Sequence, residues 1–285
     1  MTIAVTFLPR TAPAPLPPIA FIGGGNMASA IIGGLIQQGT PAAAFEVVEP
    51  FEAARTKLAQ SFGITAQAEA SEALSRCAVV VWAVKPQTFA DAAKPVRAFA
   101  EDALHLSVAA GIPSDSIARW LGTERVVRAM PNTPALVGQG MTGLFARPEV
   151  TGADRALVSQ LLTPTGELLW VDAEPALDAV TAMSGSGPAY VFYFIEAMTE
   201  AGVEMGLTPD QAQRLAIGTF TGASALAHSA TEPPSVLRER VTSKGGTTYA
   251  AITSLENADV KAQFKTAIRA AQKRAAELGE EFGRG

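Results

Sequence analysis

The stretch IAFIGGGNMASAIIGGLIQQG, Ile19 to Gly39, sets a four-residue apolar run against three glycines and then a helical pattern. Gly23, Gly25 and Ala28 stand in G-x-G-x-x-A spacing, directly after the apolar run and at the opening of the helix. The first glycine permits a tight turn, the second lets a pyrophosphate approach the backbone, and Ala28 is small enough for close helix–strand packing. The helix opens at Asn26 and Met27, where backbone N–H groups lack intrahelical acceptors and the helix dipole favours an anion. The stretch therefore predicts a strand, a phosphate-binding turn and a helix.

Outward from it, apolar runs alternate with helical patterns as far as Val171. The strand candidates are IAFI, FEVVE, AVVVWAV, LHLSVAA, RVVRAM, TGLFA and LLWV. Near-continuous apolar runs of this length suit a parallel sheet covered on both faces. Helices are expected near Met27 to Gln38, Glu52 to Phe62, Pro86 to Ala100, Ser114 to Leu121 and Ala153 to Leu162. After about Asp172 only helical patterns remain, near Ala176 to Met183, Pro188 to Met205, Pro209 to His228, Pro234 to Val241, Thr247 to Leu255 and Ala258 to Leu278. The fold class is α/β followed by all-α: a Pro-rich extension (1–18), a Rossmann-like dinucleotide-binding domain (19–172) and an all-helical domain (173–285). The helix beginning PAYVFYFIEAM is apolar nearly all round, which points to burial on several sides. The small residues of AIGTFTGASALA allow backbones to approach. A helical unit of this kind suggests burial against a second copy of the chain, with an intrachain core as the alternative.

Composition narrows the function. The chain has 285 residues, 48% of them hydrophobic and 17% charged, with a net charge of −5. That balance argues against a general nucleic-acid partner, which would need a basic face. The single cysteine, Cys77, excludes an intramolecular disulfide and any multi-cysteine metal site, and is expected in the core. His105 lies inside an apolar run and His228 near a helix end; both read as structural, so neither a histidine base nor a metal is expected. The segment MTIAVTFLPRTAPAPLPP makes a poor signal or transit peptide. No apolar run reaches the ~20 residues that span a bilayer, so a cytoplasmic location and no membrane partner are expected.

Ligands of open α/β sheets bind beyond the carboxyl ends of the strands. Ala83, Val84, Lys85 and Pro86 after the third strand, Ala109, Ala110 and Gly111 after the fourth, and Asn132 after the fifth are thereby expected around the cofactor. Lys85 reads equally as a cofactor or substrate contact and as a surface lysine. Glu49 ends the second strand, where a carboxylate receives the adenosine ribose hydroxyl; the other reading is a solvated strand end. In the first case NADH serves at least as well as NADPH, with Arg55 the nearest residue to argue otherwise.

The segment VTSKGGTTYAAI, Val241 to Ile252, sets glycines, threonines and a serine ahead of another helical pattern. A capped turn is one reading; a cradle for a small anion is the other. Together, FIGGGNMASAIIGGL, AVKPQ, AAG, RAMPNTPALVGQGMTGL, SGSGPAYVFYFIEAM and VTSKGGTTYAAITSLE closely resemble the pyrroline-5-carboxylate reductases, from about Ile19 to Leu278. The resemblance implies NAD(P)H-dependent reduction of a cyclic imine to L-proline. It also implies dimers formed through interlocking C-terminal helices, building into a decamer. Ser243, Gly245, Gly246, Thr247 and Thr248 are then the expected substrate-binding residues. Thr248 matches the family's threonine that contacts the ring nitrogen and is the expected catalytic residue. Lys244 stands where the family usually has proline and is expected to turn outward. SGSGPAY is expected to form the turn that starts the long interface helix. A β-hydroxyacid reductase would instead place a lysine on a C-terminal-domain helix. A dinucleotide-binding sensor would have no use for a carboxylate cradle.

Overall fold

The computed structural model describes residues 15–284; most of the Pro-rich extension lies outside the described residues. Seven strands form one sheet in the order β2-β1-β3-β4-β5-β6-β7. They are β1 (Ile19–Ile22), β2 (Phe45–Val48), β3 (Val79–Trp82), β4 (Leu104–Ser107), β5 (Val126–Met130), β6 (Gly140–Ala146) and β7 (Gly166–Trp170). All seven apolar runs become strands. The first five run parallel, joined by α1 (Asn26–Gln37), α2 (Glu52–Phe62), α3 (Phe89–Arg97) and α4 (Ser114–Leu121).

The expectation of a wholly parallel sheet needs one correction: β6 pairs antiparallel with β5. Only a 3₁₀ turn, Thr133–Val137, lies between them, and a parallel return needs a crossover of roughly a dozen residues or more. Helix α5 (Gly152–Leu162) supplies such a crossover, and β7 is again parallel to β6.

The strand alternation divides the core in two. Ile19, Phe21, Val79, Val81, Leu104 and Leu106 face Ile31, Ile32 and Leu35 of α1 and Leu161 and Leu162 of α5. Ala20, Ile22, Val80 and Trp82 face Phe89 and Val96 of α3 and Ile117 and Leu121 of α4. Both sheet faces are thus dry, as the uninterrupted apolar strands required.

His105 sits within the second layer at 1% exposure. Its Nδ1 accepts the Trp82 indole N–H at 3.0 Å and its Nε2 lies 3.1 Å from the Ala100 carbonyl, the pattern of the neutral ring protonated on Nε2. Burial pushes its pKa from 6.5 down to about 4. The folded chain therefore keeps His105 neutral where the unfolded chain protonates it. This contribution to stability is complete above about pH 6.5 and is lost as pH falls toward 4, about 3 kcal/mol in all. Melting curves from pH 7 to 4.5 should show that slope, and His105→Gln should flatten it; equal slopes in both proteins would show that other groups carry the acid sensitivity. Cys77, 5% exposed, is likewise a core residue, its thiol pushed up to about 11 chiefly by burial.

The helical segment comprises α6 (Ala176–Val180), α7 (Gly187–Glu204), α8 (Pro209–Ser229), α9 (Pro234–Arg240), α10 (Thr247–Asn257) and α11 (Val260–Phe282). A π-helical turn, Thr181–Gly185, leads from α6 toward α7, and α7 follows with Pro188 in its first turn. Helices α7 and α8 approach closely at Gly202, where an added Cβ would lie 2.8 Å from the Ala212 Cβ. Gly218 and Gly222, among the small residues noted in the sequence, meet nothing within 4 Å in the single chain. Phe192, Tyr193, Met205 and Leu226 are each more than 60% exposed. An apolar surface of this kind on several helices calls for a covering partner. Among the described residues no helix is long and apolar enough to cross a membrane, and no group of three His, Cys, Asp or Glu is placed to hold a metal.

Candidate active site

The strand order reverses between β1 and β3, so their carboxyl ends flank the crevice of a doubly wound sheet. The loops there touch. Gly23 has φ +94°, and an added Cβ would lie 2.6 Å from the Ala83 carbonyl oxygen. Its N–H donates to the Val48 carbonyl at 2.8 Å, tying the turn to β2 as well. Gly25 is the N-cap of α1 and receives no side-chain cap, and a Cβ built on it meets nothing within 4 Å. The N–H groups of Asn26 and Met27 therefore open onto bare backbone at a helix start. These features fit a dinucleotide pyrophosphate.

Glu49 is 6% exposed, which removes the solvated reading. Its Oε2 accepts the Gly24 N–H at 2.7 Å and its Oε1 the Phe51 N–H at 2.9 Å. The carboxylate thus braces the Gly23–Gly25 turn and joins it to the end of β2. Arg55 is drawn onto the carbonyls of Glu49 and Pro50 at 3.0 and 2.7 Å.

Around the far strands the placements vary. Ala83 and Val84 are half-buried beside Gly23, Pro86 opens a 3₁₀ turn, and Lys85 is exposed with its carbonyl bonded to Thr88. Ala109 is buried and Ala110 exposed. Gly111 packs against α11, where an added Cβ would come within 3.2 Å of Phe282 and 3.4 Å of Leu278. Asn132 uses both ends of its amide within the chain. Its Oδ1 accepts the Met141 N–H at 2.9 Å, and its Nδ2 donates to the Ser184 carbonyl at 3.0 Å. Gly111 and Asn132 thus join the two halves of the molecule, a role that their loop positions did not reveal.

In the glycine-threonine loop, Gly245 has φ +76°. The Gly246 N–H turns back to the Ser243 carbonyl at 3.0 Å, and an added Cβ there would lie 2.7 Å from the Ser243 Oγ. Gly246 is the N-cap of α10 without a side-chain cap, leaving the N–H groups of Thr247, Thr248 and Tyr249 as the open donors. Ser243, Lys244 and Thr247 are exposed and Thr248 half-buried.

A cluster missed in the sequence joins the halves. Glu174 accepts from the Ser114 N–H at 2.6 Å, from the Ser114 hydroxyl at 2.5 Å and from the Arg128 guanidinium. Nearby, burial raises the Asp178 carboxyl above its ordinary range, against the pull of Arg128. Nothing in local spacing marks these residues, because they come together only in the fold.

Comparison with known proteins agrees with the geometry. The family model described as pyrroline-5-carboxylate reductase dimerisation matches residues 174–278, and that described as NADP oxidoreductase coenzyme F420-dependent matches residues 18–111. A pyrroline-5-carboxylate reductase of Pseudomonas aeruginosa is 46% identical over 94% of this chain and 98% of its own length. The structure of the Coxiella burnetii enzyme superposes with a TM-score of 0.87 at 36% identity, covering 92% of this chain and 98% of that one. The Plasmodium falciparum enzyme, solved with NADP bound, gives 0.82 at 26% identity, covering 92% and 98%. With a dinucleotide turn at one end, an uncapped glycine-threonine loop at the other and this likeness along almost its whole length, the chain belongs to the pyrroline-5-carboxylate reductase family.

Proposed function

We propose that the chain reduces L-1-pyrroline-5-carboxylate to L-proline with NAD(P)H, the last step of proline biosynthesis. The observation that carries this reading is the pairing, in one chain of this family, of the Gly23–Gly25 turn with the open donors of Thr247 to Tyr249. The substrate is a small ring bearing a carboxylate beside its C=N bond. Backbone N–H groups at the start of α10 hold the carboxylate, with the Ser243 and Thr247 hydroxyls adding donors. Gly245 and Gly246 shape the loop. The Thr248 hydroxyl orients the ring nitrogen and relays a proton to it. The bound dinucleotide supplies the hydride. A protonated imine is already electrophilic, so no histidine base is needed, which accords with the structural role of His105. Gly23, Gly25, Asn26, Met27, Glu49 and the Ala83–Pro86 loop hold the cofactor, and Asn132 keeps the Ser184 segment beside it.

The exposed faces of α7 and α8 and the match to a dimerisation family support a homo-oligomer built on residues 173–285; the decamer and the cytoplasmic location rest on the family resemblance alone. The Ser243–Thr248 loop lies within that dimerising segment, so pairing of chains completes its surroundings.

Steady-state assays test the reading. Purified protein should oxidise NADH and NADPH when pyrroline-5-carboxylate is added, and not with β-keto acids; cofactor binding without turnover on any cyclic imine would favour a sensor. The buried Glu49 carboxylate beneath the turn, with Arg55 held on carbonyls, further predicts kcat/KM for NADH at least equal to that for NADPH. A strong NADPH preference would remove Glu49 from cofactor selection.

A further inference from the structure

We infer that the last turn of α11 positions the cofactor: Leu278 and Phe282 support the Ala109–Gly111 turn from behind, so that dinucleotide affinity depends on the end of the chain. The carboxyl ends of three strands lie side by side at this turn. Ile22 of β1 pairs with Trp82 of β3, and Trp82 with Ser107 of β4. Just beyond, the Ala83 N–H donates to the Ile22 carbonyl at 2.8 Å and the Val108 N–H to the Trp82 carbonyl at 3.1 Å. Neighbouring strands are about 4.8 Å apart, so the turn after β4 stands roughly 10 Å along the sheet edge from the turn after β1. A dinucleotide with its pyrophosphate over β1 and its adenosine over β2 extends its nicotinamide half across β3 toward β4.

The turn has two sides. Ala110 is exposed, whereas Ala109 is buried and belongs, with Ile112, to the core layer against which Phe282 packs. Gly111 has φ +72°, and a Cβ added to it would come within 3.2 Å of the Phe282 ring and 3.4 Å of the Leu278 Cβ. A Cβ added to Gly279 would lie 4.0 Å from the Gly111 carbonyl oxygen, so the backbone of α11 itself runs close to the turn. The end of the helix is then fastened in place. The Gly283 carbonyl accepts from the Ser116 hydroxyl at 2.9 Å and from Arg119 at 3.1 Å, and a Cβ added to Gly283 would lie 3.1 Å from the Pro113 Cγ.

Two alanines and a glycine carry no side chain larger than a methyl, so the turn has little of its own to hold it in one conformation. The Phe282 ring and Leu278 fill the space behind it. Without them the turn samples other conformations, and the cofactor has to order it on binding, which lowers affinity and leaves the chemistry of the bound complex intact. Such a coupling is reciprocal. If the seated helix end raises NADH affinity, bound NADH must hold the helix end in its seat by the same factor.

Wild type, Phe282→Ala, Phe282→Leu and Ala110→Glu are compared by NADH fluorescence titration and by turnover of pyrroline-5-carboxylate, and wild type by hydrogen exchange of residues 278–283 with and without NADH. Phe282→Ala should weaken NADH binding roughly five- to fiftyfold, with kcat at saturating NADH within about threefold of wild type. Phe282→Leu keeps an apolar side chain behind Gly111 and should recover most of the affinity; it also carries the test if the alanine variant fails to fold. In wild type, NADH should slow exchange at the helix end by a similar factor. A lower Tm with unchanged NADH affinity would reduce the contact to fold stability and overturn the proposal. So would a loss of kcat with affinity intact, or exchange at residues 278–283 that does not respond to NADH. The inference rests on the reductase reading, in which the turn after β4 meets the cofactor, and Ala110→Glu tests that placement by adding a negative charge on the exposed side of the turn. It should weaken NADH binding at least about tenfold. Wild-type affinity in Ala110→Glu sinks that placement and this proposal with it, whereas weakened binding there beside an unaffected Phe282→Ala sinks the supporting role of α11 alone.

Discussion

Gly23→Ala will cut NADH affinity by about a hundredfold or more, equivalent to about 2.7 kcal/mol. The new methyl would sit 2.6 Å from the Ala83 carbonyl oxygen and 2.9 Å from its carbon, both backbone atoms that cannot rotate away. The residue would also have to hold φ +94°, a conformation that costs a side-chain-bearing residue on the order of 1–3 kcal/mol. The turn cannot drift to relieve the clash, because its N–H is tied to Val48 and the next N–H to Glu49. The loops after β1 and β3 must therefore part, and these are the loops proposed to hold the cofactor. Fluorescence titration with NADH measures the effect, and affinity within about threefold of wild type would show that the crossing is looser than the geometry implies. Gly25→Ala is the companion experiment. Its Cβ meets open space, so the fold should melt as wild type does while NADH binding weakens; undiminished binding would mean that the pyrophosphate does not approach this backbone.

Thr248→Ala should lower kcat roughly ten- to a thousandfold, within or just below the usual contribution of a positioned proton donor. The substitution removes one hydroxyl from a half-buried position in the first turn of α10 and puts a stronger helix former in its place, so the helix itself is not weakened. Thr248→Ser restores the hydroxyl and should recover most of the turnover. NADH affinity should stay at the wild-type level in both. Turnover unchanged in Thr248→Ala would remove this hydroxyl from the mechanism and leave the backbone donors of α10 to position the ring unaided.

The sheet was legible because its strands are dry on both faces, and runs such as VVVW and IAFI admit few other readings. The strand–turn–helix at Gly23 and Gly25 was legible because its glycines answer to local backbone geometry. Strand direction at β6 was not. TGLFA marks a strand but not its orientation, which the short Thr133–Val137 connection decides. Glu49 was placed correctly at its strand end, yet its bonds to Gly24 and Phe51 depend on how two loops meet. Glu174 is distant in the chain from Ser114 and Arg128, as Ser184 is from Asn132, and these contacts are products of tertiary packing. The helical half showed its need for cover through apolar α7, whereas the seating of α11 beside Gly111 could be learned only from the fold.

The bare aromatic and aliphatic faces of α7 and α8 bear on how the molecule comes into being. Both core layers of the sheet close within one chain, the second of them with Phe282 of α11. The helical half cannot bury its side chains until it meets another like itself, so the last stage of maturation is a collision between two molecules, and its speed rises with their abundance. In dilute solution the unpaired chain keeps that apolar surface bare, a surface open to wrong associations.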